Sequence, residues 1–265
     1  MTKKAIGVFD SGLGGLTILD ALRRTLPHED LIYFGDTANV PYGSKSKEAV
    51  TRLSLAIGRF LQEQNVKLIV AACNTASAQA LGELKKQLSV PVMGVIEPGA
   101  AKAVSVTRNG HIAVLGTEGT VKSKAYPKAI LKKKPNAQII QQACPLFVPL
   151  VEENWTNKPA AQLIAREYLA PVLQSGADTV ILGCTHYPVL KGVLANILGK
   201  KVTLVDSADT LAEAARVFLD KHHLAETKGK GRVTVYASDA PQRFKKLAQT
   251  LLADKISTVH LKKLL

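Results

Sequence analysis

Short runs of β-branched and large apolar residues punctuate the chain, each about five to seven residues long and most followed by a stretch with helical apolar spacing. They are KAIGVFD, DLIYFGD, VKLIVAA, VPVMGVI, HIAVLGT, AQIIQQA, DTVILGC, KVTLVDS and RVTVYAS. Near-continuous hydrophobicity suits parallel strands covered by helices on both faces. Helix patterns run from Lys47 to Gln64, Ala76 to Leu88, Pro159 to Gln174 and Thr210 to His222. The alternation predicts an α/β fold with a mostly parallel sheet.

The two halves echo each other. AIGVFDSG (5–12) matches HIAVLGTEG (111–119) in pattern, and KLIVAACNT (67–75) matches TVILGCTH (179–186). Cys73 and Cys184 each end the corresponding strand, so the pattern predicts two similar Rossmann-like α/β lobes, pseudo-twofold related, with the site in the cleft between them. The chain would cross between lobes at GVIEPGA (94–100) and VDSADT (205–210), where turn-forming or acidic residues follow a strand. That gives one lobe of residues 1–97 plus 208–265 and a second of 98–207.

Composition bounds the setting. No stretch approaches the roughly 18 consecutive apolar residues of a membrane span, and the apolar segment of MTKKAIGVFDSG is cut short by Asp10, unlike a signal peptide. Three cysteines, Cys73, Cys144 and Cys184, are too few and scattered for a disulfide framework and point to a reducing, cytoplasmic setting. The net charge of +14 would attract acidic small molecules, nucleic acid or anionic lipid alike.

The candidate chemistry gathers at strand ends. A cysteine at the carboxyl end of a parallel strand stands where open α/β sheets bind ligands. A helix start behind it favours thiolate, and a pKa lowered from about 8.5 to about 7 would leave roughly half the thiol ionised at pH 7. One such cysteine could equally be a small core residue; two at matching positions point to paired acid and base. Asn74 and Thr75 could cap the next helix or grip a carboxylate, and Thr185 and His186 flank Cys184, where the imidazole could stabilise a thiolate or relay a proton. Cys144 and the remaining histidines lack the spacing to complete a metal site around CTH.

In DSGLGGLT (10–17) the glycines could cradle an anion, although the motif is not G-x-G-x-x-G and Asp10 would repel a pyrophosphate. Asp10 could orient an ammonium group or exchange a proton with Cys73, and Ser11 could donate to an anion. GDTANVPYGSKS (35–46) reads as an irregular loop ending in a Ser46 cap, with Pro41, Tyr42 and Gly43 able to present a hydroxyl and an amide. GTEGT (116–120) offers Thr117 and Thr120 in the second half. In PLVEENWT, Glu152 and Glu153 are paired acids, one of which could serve a proton relay or simply be solvated.

Together, FDSGLGGLT, VPYGSKS, AACNTASA and LGCTHYP resemble the glutamate racemases, cofactor-independent enzymes that make D-glutamate for the bacterial cell wall. The match runs through almost the whole chain with no departure at any motif position. The resemblance implies that Cys73 and Cys184 face opposite sides of the substrate's α-carbon, the CNT thiol deprotonating D-glutamate and the CTH thiol L-glutamate. It implies that Asp10 assists Cys73, that His186 with Glu152 assists Cys184, and that Ser11, Tyr42, Gly43, Asn74, Thr75 and Thr185 hold glutamate. It also implies a homodimer and no pyridoxal phosphate, and no lysine shows a Schiff-base setting.

Three other readings compete. An aspartate racemase would use the same thiols with a tighter pocket. A nucleic-acid-binding protein would explain the charge, but the basic runs LKKKP, GKGKGR, RFKK and LKK lack interleaved aromatics or a known module, which favours a solvated surface. A redox protein would need Cys73 and Cys184 able to pair.

Overall fold

The computed structural model describes residues 3–251, 256 and 258–264. Met1, Thr2, residues 252–255, Ser257 and Leu265, all in the expected first lobe, lie outside the described residues. The strands are β1 (Ile6–Asp10), β2 (Leu31–Gly35), β3 (Leu68–Ala71), β4 (Val92–Gly94), β5 (His111–Gly116), β6 (Gln138–Ala143), β7 (Thr179–Gly183), β8 (Thr203–Asp206), β9 (Val233–Ala237) and β10 (Val259–Leu261). They form two sheets, a six-stranded one ordered β10-β9-β2-β1-β3-β4 and a four-stranded one ordered β6-β5-β7-β8. Every described pairing is parallel. The order β2-β1-β3-β4 repeats as β6-β5-β7-β8, so the echo read in the sequence is an echo of topology; β9 and β10 extend the first sheet at the β2 edge.

Side chains alternate across each strand, as the pleat requires. Ile6, Val8, Leu68 and Val70 of the first sheet share one core with Ile112, Val114, Ile181 and Val205 of the second. Helices Leu16–Thr25, Ile96–Val106 and Ser207–Lys221 contribute to the same cluster. The opposite faces pack separately, Phe9, Ile69 and Ala71 under helix Lys47–Glu63, and Ala113, Leu115, Val180 and Leu182 against helix Pro159–Gln174. No described helix is long and apolar enough to cross a membrane.

Two helix readings need correction. The pattern from Ala76 to Leu88 is two helices, Asn74–Gln79 and Leu81–Gln87, meeting at the buried Ala80. Ser77 ties the first to the sheet by donating to the Ala71 carbonyl at 2.8 Å and accepting from the Val95 amide at 3.2 Å. The helix expected from Thr210 starts at Ser207, because Asp206 caps it by accepting from the Ala208 amide at 2.7 Å. Both segments expected as crossings begin helices. Ser46 does cap its helix, accepting from Ala49 N–H at 3.2 Å.

At the amino ends of β2 and β3 a buried ion pair ties down the segment returning from helix Ser207–Lys221. Lys67 Nζ lies 2.7 Å from Glu29 Oε2 and donates to the Leu224 carbonyl at 2.6 Å, while Glu29 Oε1 accepts from the Glu226 amide at 2.8 Å. Removing one partner strands a buried charge, so Lys67→Met should destabilise the fold by about 3–5 kcal/mol in urea unfolding. Adding Glu29→Gln should recover part of that loss.

Candidate active site

In a sheet ordered 2-1-3-4, the connections leave β1 and β3 in opposite directions and open a crevice beyond their carboxyl ends. Asp10 ends β1 and Cys73 lies two residues beyond β3. The equivalent crevice of the second sheet, between β5 and β7, carries Thr117 and Cys184. The two crevices face each other across one cavity of about 20 Å³, room for a water or so. Its walls include Ser11, Pro41, Tyr42, Gly43, Cys73, Asn74, Thr75, Thr117, Cys184, Thr185 and His186, together with Val40 and Val148, which the sequence did not single out.

Cys73 is itself the cap of helix Asn74–Gln79, its Sγ accepting from the Ala76 amide at 3.5 Å and donating to Ser11 Oγ at 3.8 Å. Asn74 and Thr75 therefore lie inside the helix and are free for other partners. The Tyr126 hydroxyl donates to Asn74 Oδ1 at 2.7 Å, which leaves the Asn74 Nδ2 amide buried with no partner among the described residues. Such a donor costs roughly 1–3 kcal/mol until an acceptor meets it. Thr75 Oγ1 reaches Thr117 Oγ1 at 2.8 Å across the two sheets, and Thr117 caps the next helix through the Thr120 amide at 3.2 Å. Thr120 braces this pair from behind, 3.1 Å from Thr117, and is not among the cavity's walls.

The expected lowering of the Cys73 pKa fails here. Burial, then the nearby Asp10 carboxylate, pushes the thiol up to about 12 against the opposing pull of the Ala76 amide, because one short helix start cannot replace lost solvation. Asp10, fully buried, is also raised by burial, opposed by His186 and by hydrogen bonds from Gly12, Gly15 and Thr185. Its carboxylate accepts from Gly12 N–H at 2.9 Å and from the Thr185 hydroxyl at 3.3 Å, a second link between the halves.

Cys184 stands before a tight turn rather than an α-helix, with a 3-10 turn over Tyr187–Leu190. Its Sγ lies 3.9 Å from His186 Nδ1, and His186 Nε2 lies 3.1 Å from Glu152 Oε1 at the end of helix Phe147–Glu152. Burial disfavours charge on the imidazole, but hydrogen bonding to Cys184 and Glu152 outweighs it and pushes His186 up to about 10. Glu152 reaches the site only through His186. Glu153 instead pairs with Arg243 at 3.8 Å.

The glycines of DSGLGG allow close approach. A Cβ on Gly14 would fall 2.3 Å from Thr185 Oγ1 and 2.6 Å from His186 Nδ1, and one on Gly15 would fall 2.4 Å from Asp10 Cβ. The loop makes an inter-lobe contact, and its Gly12 and Gly15 amides hold the carboxylate of Asp10 itself. Tyr42, expected to present a hydroxyl, spends it on Asp36 at 2.6 Å, where Ser238 and Asn39 also donate at 2.7 and 3.0 Å. The signal for Asp36 in the sequence is its place, since it follows β2 much as Asp10 ends β1. Tyr126 sits in a lysine-rich amphipathic run and carries none.

Comparison with known proteins gives a consistent result. The family model described as Asp/Glu/Hydantoin racemase matches residues 10–215. A curated glutamate racemase from Geobacter metallireducens is 51% identical over 98% of this chain and 97% of its own. The crystal structure of a glutamate racemase isoform from Bacillus anthracis superposes with a TM-score of 0.96 at 35% identity, covering 98% of each chain. A Francisella tularensis glutamate racemase, crystallised in complex with D-glutamate, gives 0.93 at 35% identity over 99% of this chain and 98% of that one.

The raised thiol has a direct readout in alkylation followed peptide by peptide. At pH 8, Cys73 should react roughly a thousandfold more slowly than a solvent-exposed cysteine, with a rate still climbing past pH 10. A rate profile with its midpoint near pH 8.5 and a plateau by about pH 10 would mean that Cys73 ionises as it does in water.

Proposed function

The chain belongs to the Asp/Glu/hydantoin racemase family, and we propose that it interconverts L- and D-glutamate by proton exchange at the α-carbon, without a cofactor. The carrying observation is that Cys73 and Cys184, at equivalent ends of two repeated sheets, wall one cavity. Inverting a stereocentre this way needs a base on one face and an acid on the other. On this reading residues 1–97 with 208–265 form one lobe and 98–207 the other. The protein works in the cytoplasm as a homodimer and supplies D-glutamate for peptidoglycan.

From L-glutamate, the Cys184 thiolate removes the α-proton while the Cys73 thiol delivers one to the opposite face. The products are D-glutamate, a neutral Cys184 and a Cys73 thiolate; the reverse reaction runs the same steps backwards. The cationic His186, held by Glu152, is the counter-charge for Cys184, and Asp10 serves Cys73 from behind the cavity wall. A Cys73 that burial keeps protonated is the donor this direction requires.

Ser11, Asn74, Thr75, Thr117 and Thr185 supply donors for the substrate's carboxylates, with the unpartnered Asn74 amide the clearest. Pro41, Tyr42 and Gly43 close the wall, and Thr120 acts through Thr117. A general base contributes about 10² to 10⁴ in rate, and each donor aimed at the developing enolate about 10² to 10³ more. A cavity of about 20 Å³ is too small for a five-carbon diacid, so the walls must part for entry.

The test is polarimetry on purified protein without added cofactor, started from either enantiomer, with exchange from D₂O followed in parallel. Both runs should decay to zero rotation, L-aspartate should not, and Cys73→Ser or Cys184→Ser should lose nearly all racemisation. Full racemisation by either variant would sink the two-thiol mechanism. Gly14→Ala, which drives a methyl group into Thr185 and His186, should cost about a hundredfold in kcat, the scale of a 1 Å misplacement.

A further inference from the structure

Outside the cavity lies a cleft of about 720 Å³ whose walls come from both halves of the molecule. Lys45 and Lys47, at the start of helix Lys47–Glu63, face Lys122 and Lys128 from the helices after β5. Against these four lysines stands one carboxylate, Glu118, 3.6 Å from Lys122. Gly43 and Gly119 also line the cleft, and the Gly119 amide donates to the Gly43 carbonyl at 2.9 Å. Gly43 is at the same time a wall of the cavity, and Gly119 is next but one to Thr117, another of its walls. A Cβ on Gly43 would fall 2.7 Å from Thr117 Cβ, and one on Gly119 would fall 2.7 Å from Gln79 Nε2. Two bare backbones therefore separate cleft from cavity.

A second hollow, of about 190 Å³, shares the wall residue Val40 with the cavity. It carries the carboxylates Asp239 and Glu152, the second paired with His186, and its one arginine, Arg243, is paired with Glu153. The two approaches differ in sign. We propose that the lysine-lined cleft is the entrance to the active site and gathers the dicarboxylate substrate before it passes the Gly43–Gly119 contact.

The inference rests on the glutamate reading above. Glutamate brings two carboxylates and one ammonium group, and a recess lined by one sign of charge focuses its field on such an anion. The cleft adjoins the cavity, so its potential acts on both the entry step and the bound anion, and kcat/KM reads both. Screening weakens that potential, since the Debye length falls from about 30 Å at 0.01 M salt to about 3 Å at 1 M.

The experiment measures kcat/KM for L-glutamate at about 0.01 M and about 1 M ionic strength in three proteins. These are the parent, K45Q/K47Q/K122Q/K128Q, and K132Q/K133Q/K228Q/K230Q, which removes the same charge from exposed lysines outside the cleft. At low salt the cleft variant should fall about tenfold below the parent, the lower end of electrostatic focusing, and the control should stay within about twofold of it. At high salt all three should converge. Equal values for cleft variant and parent at low salt, an equal fall in the control, or a deficit that survives high salt would each overturn the inference alone. A parent that leaves L-glutamate unchanged would overturn the glutamate reading and this inference with it.

Discussion

The architecture depends on one apolar core shared by two sheets. Ile6, Val8, Leu68 and Val70 on one side and Ile112, Val114, Ile181 and Val205 on the other are sealed by helices Ile96–Val106 and Ser207–Lys221. Burying a side chain of that size contributes roughly 1.5–3 kcal/mol, so this junction is the fixed part of the molecule. At the carboxyl ends of the strands the halves meet through a few hydrogen bonds, Thr75 to Thr117, Thr185 to Asp10 and Gly119 to Gly43. The neutral ones contribute only about 0.5–1.5 kcal/mol net and the one to the Asp10 carboxylate about 1.5–3, and each can be exchanged for a bond to water. A firm apolar junction behind exchangeable polar contacts would let the cavity part at its polar side while the core stays packed.

Burial that excludes water from the cavity also works against its own chemistry. It pushes Cys73 up and raises Asp10, and it opposes the charge on His186. The chain offsets these costs unequally. Cys184 has an imidazole at 3.9 Å with a carboxylate behind it, whereas Cys73 has a hydroxyl, an amide and a buried acid. Repeated topology thus places two sulfurs alike while their surroundings differ, an imidazole backed by a carboxylate beside Cys184 and a buried acid beside Cys73.

Much of this was legible in the sequence because it rests on periodic patterns. The first nine strands follow from apolar runs, and the pairing of Cys73 with Cys184 follows from their equal places at the ends of two of them. β10 did not stand out, since Val259–Leu261 is a short, exposed edge strand without an apolar run. The thiol's ionisation is not legible for a different reason: sequence shows the helix that favours thiolate and hides the burial that outweighs it. The role of Gly14 was equally hidden, because the atoms that forbid its side chain belong to Thr185 and His186, far along the chain. Tyr42 shows the same limit, since Asp36 claims its hydroxyl in a contact no spacing rule encodes.

The first sheet's extra strands have a use that the repeat alone would not supply. Ser238 follows β9, donates to Asp36 Oδ1 at 2.7 Å and accepts from the Ala38 amide at 2.9 Å. Asp36 Oδ2 in turn accepts from the Tyr42 hydroxyl at 2.6 Å, so one of the two added strands fixes the loop that carries Pro41, Tyr42 and Gly43 to the cavity. The second sheet has no strand beyond β6 and no corresponding brace among the described residues. Duplication of a four-strand unit accounts for the two thiols, and the asymmetric addition accounts for the wall that stands over them. A substrate whose two ends differ requires that asymmetry, because a strictly twofold cavity could not tell an α-carboxylate from the side chain's own.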